Sequence, residues 1–325
     1  MIASRPTGWI WGSAVALVSA AFLLPWIGSG SISLDRVLAK ASPDYPIFVE
    51  LRVSRTLLGL LAGGALSLTG SLFQSMLRDS LATPYTLGVS AGAALGAVIT
   101  IALDLDHLLG FPAAWAGALA GATAVLLIVA GASWSRGQLS GVRLVLSGIA
   151  MNSTCTAFIL LINSTVRDHR SFSIMQWLLG SVDSVSYRAL FVFAVVVVIS
   201  SIVVIANAPA WNLLAVGEAW AGSRGVDLRR TTMIGYCCGS VLTAGAIALT
   251  GPIGFVGLIV PHLVRSRISP DNRILMPCSL LLGGMLLACC DTIGRVALAP
   301  VELPAGAVMA VLGGPYLVWL VRRRF

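Results

Sequence analysis

Apolar residues run in long blocks along this chain, broken by short connections that hold most of the charge. Ten blocks stand out, at 9–28, 53–77, 84–103, 111–133, 142–164, 188–206, 231–250, 253–265, 274–290 and 304–321. A helix crosses a bilayer with about 20 mostly apolar residues, so the pattern predicts an all-α polytopic membrane protein with about ten transmembrane helices. The eighth block is too short to span alone and needs residues from its neighbours. The first, Trp9 to Gly28, exceeds the usual h-region of a signal peptide, about 7–15 residues. Its end, Pro25-Trp26-Ile27-Gly28, lacks a small-x-small cleavage site, so it is read as the first span.

Composition agrees with a membrane protein. The chain is 57% hydrophobic and 10% charged, with a mean hydropathy of +0.92. A soluble domain carries about a quarter charged residues. The 34 glycines suit helices packed closely within a bilayer. Six cysteines, including the adjacent pairs Cys237-Cys238 and Cys289-Cys290, fall in apolar runs with no metal-site or disulfide spacing, and read as packing residues.

The net charge of +8 is an orientation signal. With both termini in the cytoplasm, 13 of the 21 Lys and Arg residues fall on the inner side, including Arg78, Arg224, Arg229, Arg230 and the closing Arg322-Arg323-Arg324. Nothing in the chain suggests nucleic-acid binding. Gly64-Ala65-Leu66-Ser67-Leu68-Thr69-Gly70 matches Gly245-Ala246-Ile247-Ala248-Leu249-Thr250-Gly251 at five of seven places. In this topology the two copies cross in opposite directions, as in the inverted repeats of transporters.

Three connections are too long to be turns: Ser29 to Glu50, Ser164 to Tyr187 and Asn207 to Arg230. The second is expected to hold a surface helix, and the third short helical stretches joined at glycines. The whole chain, 1–325, reads as one permease domain.

What is missing narrows the function. Lys40 is the only lysine and follows no glycine-rich turn, so a Walker A loop is impossible and any ATP must be hydrolysed by another subunit. His107, His169 and His262 are scattered and form no catalytic or metal motif. Ion-coupled transporters keep an ionisable group near the membrane midplane. Here Asp291 comes closest, at a helix end with Arg295 as an i,i+4 partner. An ion-coupled secondary transporter remains the main alternative; an intramembrane enzyme has no catalytic constellation to support it.

The stretch from Leu51 to Gly96, LRVSRTLLGLLAGGALSLTGSLFQSMLRDSLATPYTLGVSAGAALG, resembles the FecCD-type, binding-protein-dependent permeases of iron–siderophore, haem and cobalamin importers. So do Thr250 to His262, TGPIGFVGLIVPH, and the closing ELPAGAVMAVLGGPYLVWLVRRR. The resemblance covers nearly the whole chain in order. It implies a type II ABC importer permease in the bacterial inner membrane. Its expected partners are a second permease subunit (another copy or a paralogue), two cytoplasmic ATPases, and a periplasmic or lipid-anchored binding protein. The cargo would be a metal chelate, and no cofactor is expected.

Site residues follow from the same resemblance. Leu214 to Val226, LAVGEAWAGSRGV, looks like the coupling helices that dock on the ATPase, carrying Gly217, Glu218, Ala221, Gly222, Arg224, Gly225 and Val226; Arg224 stands where leucine is usual. Arg52, Arg55 and Arg295 match positions that receive acidic residues of the binding protein. A guanidinium fork suits that pairing, although arginines at helix ends also anchor at headgroups. Arg78-Asp79-Ser80-Leu81-Ala82-Thr83-Pro84 resembles the cytoplasmic gate loop, with Asp79 and Ser80 replacing the usual Asn and Pro, and Leu81 as the expected plug. Ser140-Gly141-Val142 would be the companion gate. Asn152, Ser153, Thr154 and Thr156 on the fifth segment would line the path; helix–helix hydrogen bonding explains such residues equally well.

Overall fold

The computed structural model describes residues 6–28, 30, 32–105, 113–135, 138–139 and 141–324. His107, Arg136 and Ser140 lie outside the described residues. In chain order the helices are α1 (Pro6–Leu23), α2 (Leu34–Leu38), α3 (Asp44–Pro46), α4 (Ser54–Leu77), α5 (Val89–Ala102), α6 (Ala113–Ser133), α7 (Gly141–Thr165) and α8 (Asp168–Leu178). They continue with α9 (Tyr187–Ala206), α10 (Ala208–Val216), α11 (Glu218–Ser223), α12 (Leu228–Thr250), α13 (Val256–Arg267), α14 (Asn272–Val296) and α15 (Ala305–Arg324). A π-helical stretch, Ile47–Val53, leads into α4, and a two-residue ladder pairs Trp134–Ser135 with Gln138–Leu139.

Each of the ten predicted apolar blocks contains a helix. Among the described residues, seven helices are long and apolar enough to cross a membrane, while α5 and α15 are shorter apolar helices. The surface helix expected between Ser164 and Tyr187 is α8, and the short helices expected after Asn207 are α10 and α11.

α4 is the central post. Nearly all of its residues are buried, and α14, α12, α13 and α9 surround it. Lipid tails are as apolar as leucine, so helices in a bilayer associate through close van der Waals contact at small residues. Gly59, Gly63 and Gly64 of α4 meet Ala288, Gly283 and Leu280 of α14 in reverse order, so the two run antiparallel. Gly70 faces Gly257 at the start of α13 so closely that a β-carbon there would lie 1.8 Å from the Gly257 carbonyl oxygen. α5 and α6 interlock in the same way: Gly92 and Gly96 face Gly121 and Gly117, two G-x-x-x-G pairs in antiparallel register.

The repeated heptapeptides lie on α4 and α12, which pack against each other. Thr69 hydrogen-bonds the Gly239 carbonyl (3.4 Å) and Met76 approaches Gly235, so these helices are also antiparallel.

Candidate functional site

At one end of the bundle, Arg52, Arg55 and Arg295 line a single cavity of about 390 Å³ together with Asp44, Asp183 and Glu302. The cavity therefore carries three cations and three anions. Arg52 projects from the π-helical stretch and folds over the turn after α1, where Nη2 donates to the Gly30 carbonyl (2.6 Å) and Nη1 lies 3.4 Å from that of Trp26. Arg55, one turn on, is held from two sides. It bonds both carboxylate oxygens of Asp291 on α14 and reaches the exposed Glu302 at 2.7 Å. Asp291 also holds Arg295, whose Nε is 3.2 Å away, and Arg295 donates to the Thr292 hydroxyl.

Asp291 is thus the hub of this cluster. The i,i+4 pairing with Arg295 was legible in sequence, whereas the link to Arg55 depends on α4 lying against α14. Arg52 and Arg295 are 7% and 5% exposed, so they reach the cavity but not open solvent. Arg55 and Glu302 form its accessible edge.

At the opposite end of α4, the chain leaves the helix through Arg78 in the left-handed region (φ 55°). The Asp79 carboxylate accepts the Leu81 N–H at 2.9 Å, and the Ala82 N–H returns to the Asp79 carbonyl. Asp79 therefore closes the turn through its side chain, as short polar residues do. Leu81 stands at the tip, about half exposed (49%), beside half-buried Ser80. Gly141 begins α7 against the end of α4, where a β-carbon on it would lie 3.4 Å from Leu77 Cδ2, and Val142 is exposed. Gly141 thus sits beside Leu77, the residue just before the turn that holds Asp79, Ser80 and Leu81.

α10 and α11 form a knob beside this turn. Trp211 anchors it, fully buried against Gly235 of α12, with its indole N–H on the Val204 carbonyl (2.9 Å). Gly217 separates the two helices. The N–H groups of Arg224 and Val226 both return to the Ala221 carbonyl, and Gly225 takes the left-handed φ of 82° that ends α11. Ala221 is fully buried under this cap, Gly222 accepts from Gly225, and Arg224 lies over the exposed Trp220 ring at 4.6 Å. The knob touches this turn directly, with Glu218 3.4 Å from Arg78.

Asn152 is half-buried on α7, while Ser153, Thr154 and Thr156 face outward. The Thr154 and Thr156 hydroxyls bond carbonyls four residues back on their own helix, so they do not join helices within this subunit. Sequence reasoning missed a second polar cluster, Asn212, Asp271, Asn272 and Ser75, at the foot of α4. Polar residues at the edges of apolar blocks were its only trace. Among the described residues, no group of three or more His, Cys, Asp or Glu side chains is placed to hold a metal ion.

The chain matches the model of the FecCD transport family over residues 15–323. It is 35% identical to the hemin transport system permease protein HmuU of Yersinia pestis, covering 91% of this chain and 90% of that one. It is 38% identical to the ferric enterobactin transport system permease protein FepD of Escherichia coli K12 (96% and 94% covered). With the Fe(3+) dicitrate permease protein FecC of the same organism, identity is 32% and coverage 97% of each chain. A solved structure described as an inward-facing conformation of a metal-chelate type ABC transporter superposes with a TM-score of 0.85 at 26% identity, covering 97% and 98%. This multi-pass membrane chain belongs to the FecCD transport family and is a transport permease rather than an enzyme.

Proposed function

We propose that the chain is the membrane subunit of an ATP-driven importer that carries a metal chelate across the bacterial inner membrane, with an iron–siderophore as the first candidate cargo and cobalamin or haem next. The observation that carries this reading is the end-to-end likeness to permeases named for hemin, ferric enterobactin and ferric dicitrate transport. In this reading ten helices cross the membrane as an inverted repeat, and both termini face the cytoplasm. The Arg52 end then lies outside and the Glu218 end inside.

A loaded binding protein docks at the outer rim, where an acidic side chain entering the polar cavity meets Arg55 in place of Glu302, with Arg52 and Arg295 behind it. Two ATPase subunits grip the α10–α11 knob and drive it, and the gate turns at Leu81 and Gly141-Val142 open and close the path. Only 17% of the residues in the apolar stretch of α7 are buried within the chain, which suits a helix that faces a second permease subunit and lines the path with Asn152, Ser153 and Thr156.

The permease contributes shape and gating and makes no covalent bond. An ion-coupled mechanism is less well supported, because Asp291 is already neutralised by Arg55 and Arg295. The test is co-purification with the cognate ATPase subunits, followed by transport assays in proteoliposomes. Chelate uptake that requires both ATP and the binding protein is expected; uptake driven by a proton or sodium gradient without ATP would refute the proposal.

A further inference from the structure

We infer that Asn212 on α10, with Asp271 and Asn272 at the start of α14, forms a hydrogen-bonded relay to Ser75 that carries movement of the α10–α11 knob to the gate turn. The inference rests on the reading of that knob as the surface gripped by the ATPase.

Asn212 is bound at both ends of its amide. Its NH2 donates to the Asp271 carboxylate at 2.6 Å and its oxygen accepts the Asn272 backbone N–H at 2.9 Å. Only an NH2 can donate to a carboxylate and only an oxygen can accept from a backbone N–H, so the amide has one orientation. The Asp271 carboxylate also accepts the Arg273 N–H (2.9 Å), and the Asp271 backbone N–H donates to the Ser269 hydroxyl oxygen (3.1 Å). The side chain of Asn272 then meets the Ser75 hydroxyl at 2.9 Å, and that hydroxyl also lies 2.9 Å from the Ser71 carbonyl. A hydroxyl has one proton, so both contacts are met at once when Asn272 turns its NH2 toward Ser75.

Ser75 and Asn272 are 3% and 2% exposed, so water does not compete for these bonds. Ser75 sits one turn before Arg78, where α4 gives way to the gate turn. An outer link, Arg78 to Glu218, spans the same gap, but both side chains are about half exposed and the pair is screened. The inner relay is the stiffer of the two, because hydrogen bonds shielded from water are stronger and cooperative. Trp211, wedged beside it, gives α10 a fixed pivot. A displacement of α10 therefore pulls on the last turn of α4 through Asn272. The four residues position the gate and do not touch cargo.

The experiment uses the complete transporter, permease with its ATPase subunits and binding protein, in proteoliposomes. It compares wild type with N212A, S75A and S75T, and reads ATPase retention, ATP hydrolysis, and uptake of whichever radiolabelled ferric siderophore, cobalamin or haemin the wild type accumulates. Each lost hydrogen bond changes an equilibrium by about fivefold. N212A and S75A are expected to keep their ATPase subunits and hydrolyse ATP, while uptake per ATP falls about fivefold or more. S75T, which keeps the hydroxyl, is expected to restore coupling. A role confined to folding would lower the yield of assembled complex and leave that ratio unchanged. Wild-type ratios in both N212A and S75A would overturn the relay; S75A, which deletes one oxygen, decides the matter alone should N212A fail to assemble. A wild-type chain that binds no ATPase subunit would instead overturn the reading of the knob, and the relay with it.

Discussion

Arg55 and Asp291, 236 residues apart in sequence, close on each other with Arg55 Nη2 2.9 Å and Nε 3.0 Å from Asp291 Oδ1. This contact ties the first turn of the central helix α4 to the end of α14. Asp291 is 1% exposed and Arg295 5%, and the carboxylate serves both guanidiniums. Removing one partner from a buried ion pair leaves an uncompensated charge, which costs about 3–5 kcal/mol. Asp291→Ala takes away the carboxylate partner of buried Arg295 and leaves Arg55 only the exposed Glu302, and it is expected to be the most destabilising change in the cluster. Arg295→Met leaves Asp291 paired with Arg55 and is expected to cost less. Glu302→Gln, at the exposed edge, is expected to cost under about 1 kcal/mol. Melting temperatures of the purified variants in lipid nanodiscs check this order, and an Asp291→Ala variant as stable as Glu302→Gln would refute the hub.

Helix contact around α4 depends on missing side chains. At Gly70 a β-carbon would press on the Gly257 carbonyl, a backbone group that cannot swing aside. Gly70→Ala is therefore expected to destabilise the fold by about 1–3 kcal/mol, the usual cost of overpacking. Gly131→Ala meets nothing within 4 Å and is expected to be neutral. Thermal unfolding of the pair measures the contrast.

The Asp271 carboxyl has a pH signature. Partial burial pushes its pKa up, but the Arg273 N–H, the Asn212 amide and the Arg273 charge outweigh that and hold it below the ordinary 3.8. A carboxyl depressed in the folded state adds stability that is fully present above its unfolded pKa and disappears as pH falls through its folded pKa. The stability difference between wild type and Asp271→Asn is thus expected to be constant above about pH 5 and to shrink below pH 3.8. A difference that grows on acidification would contradict the assigned contacts.

Leu81 stands at the tip of a turn closed by Asp79. If it plugs the path, Leu81→Ala is expected to admit small solutes without ATP while leaving the fold stable. Dye leak from proteoliposomes reads this directly. A tight Leu81→Ala vesicle would place the gate elsewhere.

The helices were legible in sequence because each apolar block is bounded by charges, glycine or proline. Even the short block at 253–265 is a helix, α13, extended to Arg267 by the polar residues that follow it. The third block is less clear: 84–103 becomes a helix only from Val89, because the turns after Pro84 and the left-handed Gly88 delay it. Three arginines were singled out, and all three line one cavity. Their burial, and the carboxylate that two of them share, depend on how α4 and α14 face each other. Asn212 was passed over for the same reason, since both of its partners lie about sixty residues away, at the start of another helix.

This permease is proposed to import a metal chelate. The most direct test of that role is uptake of radiolabelled ferric siderophore, cobalamin and haemin by cells lacking the chain, with and without a plasmid-borne copy. Uptake of one of the three is expected to be lost in the deletion strain, to return with the wild-type copy, and not to return with a copy lacking Gly217 to Val226. Restoration by that deleted copy, or uptake of all three at normal rates without the chain, would contradict that role.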